Sequence, residues 1–162
     1  LRASRKSAAD RGTKTMSKNR VPAAEGWFTM DADEPRLLGT RGVDSGSYFF
    51  PPSMATSANP AHPFEEREPV ELSRRGRVWS LATNHYQPPE PYMSPEPFEP
   101  YTVLAVELEE EKMVILGQLA DGVAPETVKV GDPVELVLGT LYEDDDNEYL
   151  VWKWQPATGG KG

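Results

Sequence analysis

Short apolar, β-prone runs bounded by turn-forming residues recur along much of this chain, the pattern of β-strands. Residues 76–86 make the longest such stretch, with Val78, Ser80 and Ala82 on one expected face and Trp79, Leu81 and Thr83 on the other. Residues 101–108 are apolar on both faces through Val103, Leu104, Ala105 and Val106. A charged turn, Glu109-Glu110-Glu111-Lys112, leads into an apolar run at 113–119. Two further strands are predicted at 134–142 and 149–154, joined by the acidic turn at 143–148. No helical period is sustained beyond about two turns, and the best candidate is a single turn at 125–128.

Upstream, the runs are shorter. Residues 27–30, 36–40 and 48–50 are β-prone and are separated by turn-forming stretches at 31–35 and 42–47. Pro51 and Pro52 then stop the third run. Three strands this short carry too little apolar surface to fold alone, so they are expected to lean on the rest of the chain.

Five longer strands with regular turn signals predict a small β-barrel. The third and fourth are separated by about a dozen residues, 120–131, and that spacing is the layout of an OB-fold. The expected fold is therefore all-β: a short N-terminal β-ribbon followed by a five-stranded OB-fold barrel. Because the middle strands are apolar on both faces, the ribbon is the expected lid over the barrel's outer side. The predicted organisation is a basic disordered extension at 1–23, the ribbon at 24–68, the barrel at 69–156 and a disordered tail at 157–162.

Composition narrows the functional classes. There are no cysteines, which excludes disulfides, a thiol nucleophile and thiolate zinc ligands. No apolar run approaches the roughly 18–20 residues that cross a bilayer as a helix, and no secretory h-region is visible, so a cytoplasmic location is expected. Residues 1–20 hold seven Lys/Arg against one acid, Asp10, whereas the other 142 residues hold ten Lys/Arg and 25 Asp/Glu. A body this acidic repels a phosphate backbone, since nucleic-acid affinity rests on clustered cations. The basic head lacks apolar periodicity, begins with Leu and has its next start at Met16, so residues 1–15 read as an upstream extension outside the fold.

The unusual segment is 87–100, between the first two barrel strands. Six of its fourteen residues are proline, and it carries Tyr92, Met93 and Phe98 with the acids Glu90, Glu96 and Glu99 and no base. Proline restricts the free loop, so less entropy is lost when it docks. Tyr92, Met93, Phe98, Glu96 and Glu99 are therefore the candidate partner-binding residues. The alternative is a stiff connector whose aromatics pack on its own domain.

Catalytic signatures are absent. There is no Gly-x-Ser-x-Gly elbow, phosphate-binding glycine loop or paired-His metal motif. His85 ends a strand with no nucleophile beside it, and the acidic run at 143–148 lacks the ligand spacing and glycine of a calcium loop. Arg74, Arg75 and Arg77 form the only basic cluster of the body. They are candidates for an anionic group such as a coenzyme A phosphate, or for neutralising neighbours such as Glu71.

The stretch Leu37-Leu38-Gly39-Thr40-Arg41-Gly42-Val43-Asp44-Ser45-Gly46-Ser47-Tyr48-Phe49-Phe50-Pro51-Pro52 resembles the zinc-ribbon/OB-fold proteins that accompany thiolases and thiolase-like lipid-transfer proteins. The run Leu72-Ser73-Arg74-Arg75-Gly76-Arg77-Val78-Trp79-Ser80, the proline loop leading into Phe98-Glu99-Pro100-Tyr101, and Val130-Gly131-Asp132-Pro133-Val134 match the same pattern in order. The family pattern has four ribbon cysteines, whose positions here fall at Gly42, Ser45, Ser57 and His62. The resemblance thus implies a degenerate ribbon that keeps its shape without zinc, held by aromatics such as Trp27, Phe28, Tyr48, Phe49 and Phe50. It further implies a non-catalytic accessory subunit, without cofactor, in a hetero-oligomer with a thiolase or lipid-transfer-type aldolase. That partner would act on acyl-CoA thioesters, in steroid side-chain or fatty-acyl degradation. Two other readings stay open: an OB-fold binding single-stranded nucleic acid through Trp79, Tyr86, Tyr92 and Trp152, and a stand-alone acyl-CoA-binding protein.

Overall fold

A computed structural model describes residues 17–53, 59–91, 94 and 96–158, and among these described residues there are nine strands and one 3-10 turn. The strands are β1 (Asn19–Pro22), β2 (Leu38–Gly42), β3 (Tyr48–Phe49), β4 (Arg67–Glu71), β5 (Arg75–Asn84), β6 (Tyr101–Leu108), β7 (Val114–Leu119), β8 (Pro133–Glu143) and β9 (Asn147–Pro156). The predicted all-β architecture is what forms.

Strands β5 to β9 close a five-stranded barrel. β6 pairs antiparallel with both β5 and β7, β8 pairs with β5 and β9, and a short parallel pairing of Gln118 and Leu119 with Lys153 and Trp154 closes the ring. The long β7–β8 connection holds the 3-10 turn Pro125–Thr127 and docks on β5 through Val78 N–H to Asp132 O (3.0 Å) and Gly131 N–H to Val78 O (2.7 Å). This is the OB-fold layout expected from the strand spacing. Val78, Leu104, Val106, Leu108, Val134, Leu136 and Trp154 fill the interior, each at most 2% exposed.

The faces of β5 differ from simple alternation. Val78 opposes Val106, but Ser80 opposes Ala105, with Trp79 as the extra residue of a β-bulge. A bulge shifts the parity of everything after it. Leu81 and Thr83 therefore share the face of Val78, opposite Leu104 and Thr102, and Ala82 turns outward.

The ribbon is a three-stranded antiparallel sheet in the order β3-β2-β4. Residues 27–30 do not become a strand. They make a single bridge, Phe28 to Leu37, around a turn in which the Asp31 carboxylate accepts the N–H groups of Asp33 and Glu34, both at 2.9 Å. The third ribbon strand is instead β4, so the ribbon sheet extends to Glu71, past the boundary expected at residue 68. Its charged sequence hides an extended segment whose partner, β2, supplies the pairing. Leu72, fully buried, then carries the chain into the barrel.

Trp152 of β9 joins the two sheets. Its ring meets Trp27, Phe28 and Phe50 at centroid distances of 6.3, 5.7 and 5.7 Å, and its Nε1–H donates to Leu116 O (2.8 Å). The aromatic support expected for the ribbon is thus present. Trp152, one of the rings offered for base stacking, is half-buried and has part of its surface taken up by this cluster. The ribbon does not cover the whole outer side, for Leu116 stays 62% exposed.

Residues 19–22, expected in the disordered extension, form β1 and pair in parallel with Asn147–Leu150 of β9. Lys18 Nζ lies 2.6 Å from Glu143, and Arg20 lies 3.3 Å from Glu148. The end of the basic head is ordered by the acidic β8–β9 hairpin, a pairing across more than 120 residues of chain that local periodicity does not report.

Candidate partner-binding site

The proline arm connects β5 to β6, and its described residues Pro88, Pro91, Ser94, Glu99 and Pro100 line a cleft with Tyr101. Tyr92 and Met93 lie outside the described residues. Phe98 is half-buried, with its ring edge-on to Tyr101 at 6.3 Å. Gln87 Nε2 donates to Ser94 Oγ across the arm (3.1 Å). Glu90, Glu96 and Glu99 are all exposed, so the arm presents acids outward while one aromatic anchors its return to the barrel.

Beneath the arm lie two adjoining clefts. One, of 440 Å³, is bounded by Pro88, Pro91, Pro100 and Tyr101 above and by Thr140, Tyr142 and Lys153 below. Lys153 is only 3% exposed, and its Nζ pairs with Asp121 at 2.8 Å. The other, of 570 Å³, brings His85 together with Thr83, Glu99, Asp121 and Glu126. The arrangement is acidic and holds no Ser–His or Cys–His pair among the described residues. Sequence reasoning missed Lys153 and Asp121. Lys153 sits in a strand as a charged residue between tryptophans, and that interruption was the signal.

A second surface runs along β7. Leu116, Val103, Tyr101, Leu141, Val151 and Trp152 line a shallow apolar groove of 220 Å³. It shares Leu116 and Trp152 with a 360 Å³ groove that continues to Phe50 and Met113 at the ribbon. Tyr101 belongs both to this groove and to the cleft below the arm.

The arginine cluster is divided among internal partners. Arg74 donates to Asp33 O and Leu136 O (3.2 and 3.3 Å) and lies 3.9 Å from Glu34. Arg75 pairs with Glu135 at 3.6 Å, and Arg77 donates to Gly131 O at 3.1 Å. The neutralising acids are therefore Glu34 and Glu135.

At the ribbon turn, a four-thiolate zinc does not fit. The chain has no cysteine, Gly42 offers no ligand atom, and Ser45 Oγ donates to Glu65 Oε1 (2.7 Å). Ser57 lies outside the described residues. Asp44, His62 and Glu65 do bring one donor atom each within 4.8 Å of one another.

Comparison with known proteins agrees with this architecture. Residues 69–139 match the family described as ChsH2, C-terminal OB-fold domain. The barrel is similar to that of ChsH2. A chain of the solved Ltp2-ChsH2(DUF35) aldolase aligns with a TM-score of 0.54 and 26% identity, covering 76% of this chain and 86% of that chain. No curated protein matches significantly. The OB-fold resemblance read from the sequence is borne out, and the ChsH2 likeness reaches beyond the barrel, since 76% of the chain is more than the 71 residues of the family match.

Proposed function

We propose that this chain is a non-catalytic accessory subunit that binds and stabilises a thiolase or lipid-transfer-type aldolase acting on acyl-CoA thioesters, in steroid side-chain or fatty-acyl degradation. The observation that carries this reading is the likeness to a chain of the Ltp2-ChsH2(DUF35) aldolase. Two features of the chain support it. The clefts hold no Ser–His or Cys–His pair among the described residues, in keeping with chemistry carried by the partner. The proline arm, with Tyr92, Met93 and Phe98, is a restrained segment bearing residue types enriched at interface cores. In this reading the subunit works in the cytoplasm, carries no zinc or other cofactor, and leaves acyl-CoA to the partner. Arg75 and Arg77, both exposed, are then the residues of the cluster available to a coenzyme A phosphate at the shared entrance.

The test is co-expression with a thiolase-like aldolase, followed by titration calorimetry of the purified pair. A stable complex is expected, with acyl-CoA turnover only when the thiolase-like protein is present. Turnover by this chain alone, or micromolar single-stranded DNA binding in a low-salt band shift, would overturn the proposal.

A further inference from the structure

The turn joining β2 to β3 is closed by a side chain from elsewhere. Glu65, in the loop before β4, reaches back so that Oε2 accepts the Ser45 N–H (2.9 Å) and Oε1 accepts the Ser45 hydroxyl (2.7 Å). The Ser45 oxygen in turn accepts the Ser47 N–H (3.1 Å), and Ser47 Oγ accepts from Asn59 Nδ2 (3.0 Å). The network runs Asn59–Ser47–Ser45–Glu65 and ties both ends of the 59–65 segment to the turn.

Gly42 completes the arrangement. A Cβ built there would fall far inside van der Waals contact with Oε1, Oε2 and Cδ of Glu65. The carboxylate thus occupies the space that any side chain at position 42 would need. Gly42 also closes the turn, with its N–H on Ser47 O (2.8 Å) and its carbonyl accepting Gly46 N–H (3.0 Å).

We infer that the Glu65 carboxylate, seated over Gly42 and held by both donors of Ser45, is the closure of the ribbon, so that this turn is cross-linked by charge-assisted hydrogen bonds and not by a metal ion. Bonds from neutral donors to a carboxylate are roughly twice as strong as neutral pairs, and they are shielded here because Glu65 is half-buried. The molecule uses the same device a second time. Glu111 accepts the Ser73 N–H (2.9 Å) and hydroxyl (2.7 Å) where the ribbon sheet passes into the barrel. The rival occupant is a divalent cation drawn to Asp44, His62 and Glu65. Such an ion would compete with Ser45 for the Glu65 oxygens.

The experiment uses the full chain, with thermal melting and amide hydrogen exchange in EDTA, in ZnCl2 and in MnCl2. The wild-type melt is expected to be the same in all three. Glu65→Ala and Gly42→Ala should each lower the melting temperature by about 2–6 °C and speed exchange of the Ser45 and Ser47 amides about tenfold or more. The barrel amides of Leu104 and Val106 should be unaffected. Glu65→Gln, which keeps the shape and loses the charge, should show the same local effect if the alanine variant does not fold. A melt raised by either metal and lowered by EDTA, with the response abolished in His62→Ala, would overturn the inference in favour of a cation. Unchanged Ser45 exchange in Glu65→Gln and Glu65→Ala would overturn it outright.

Discussion

Trp152 is the residue on which ribbon and barrel depend together. It meets three aromatic rings of the N-terminal region and holds the Leu116 carbonyl at a part of β7 that has no strand partner on that side. Trp152→Ala should destabilise the chain by about 3 kcal/mol, the scale of a large aromatic deletion, measured by urea unfolding. Loss below ~1 kcal/mol would mean the ribbon is seated by Leu37 and Leu72 alone. Gly117 lies beneath the same wall. A Cβ there would stand 2.7 Å from Trp154 Nε1 and 3.1 Å from Trp152 Cδ1. Gly117→Ala should therefore cost about 1–3 kcal/mol by overpacking, in contrast to the near-neutral effect of alanine at an open strand position.

Among the elements, the β8–β9 hairpin and its partner β1 carry ion pairs and a charged hydrogen-bond network that respond to pH and salt. Asp144 accepts the N–H groups of Asn147 and Asp146 (2.7 and 2.9 Å) and the Tyr149 hydroxyl (2.9 Å), while Tyr149 stacks on Tyr142 at 4.4 Å. The backbone N–H of Asn147, then that of Asp146, hold the Asp144 carboxyl below its ordinary 3.8, and the bond to Asp144 lifts Tyr149 above 10.0. A depressed carboxyl stabilises the fold above its unfolded value and loses that contribution as pH falls through its folded value. The protection of the Asp146 and Asn147 amides, measured relative to their intrinsic exchange at each pH, should thus fall as the pH drops below 3.8. In Asp144→Ala that protection should be low at neutral pH already and change little on acidification. β1 makes a separable prediction. Deleting residues 1–14 should leave the melting temperature within a few degrees, whereas deleting 1–22 removes the strand paired with β9 and both ion pairs. The second deletion should lower it by about 4 °C or more, and equal melting temperatures would show that β1 adds no stability.

At the scale of the whole molecule, the acidic body and the proline arm set how a partner would approach. Glu90, Glu96 and Glu99 are exposed on the arm, so in the proposed complex they would steer encounter with a basic rim and contribute little to the anchored contact. Replacing the three with glutamine should slow association with the thiolase-like partner about tenfold at low salt and flatten its salt dependence, with dissociation nearly unchanged. Tyr92→Ala, Met93→Ala and Phe98→Ala combined should instead speed dissociation and weaken the complex by roughly 2–4 kcal/mol, read by calorimetry. Phe98 packs on Tyr101, so part of any change in the chain's own melting temperature would come from it alone, and the single Phe98→Ala variant isolates that part. An intact complex would move the docking surface to the apolar groove around Leu116.

What the sequence determined was whatever depends on neighbours within a strand or a turn. Apolar runs bounded by turn residues placed all five barrel strands to within about two residues, and the long 120–131 connection marked the OB-fold. Tertiary structure decided what depends on partners far along the chain. The bulge at Trp79 reversed the faces of β5, because one extra residue opposite β6 changes parity without changing composition. β4 joined the ribbon because β2 was there to pair with it. β1 formed against β9 across more than a hundred residues. The Glu65 carboxylate reached Ser45 over a separation of twenty residues. Each of these contacts is made by backbone pairing or by one polar side chain, neither of which leaves a repeat in the order of amino acids. The apolar residues that fill the barrel leave one in every strand.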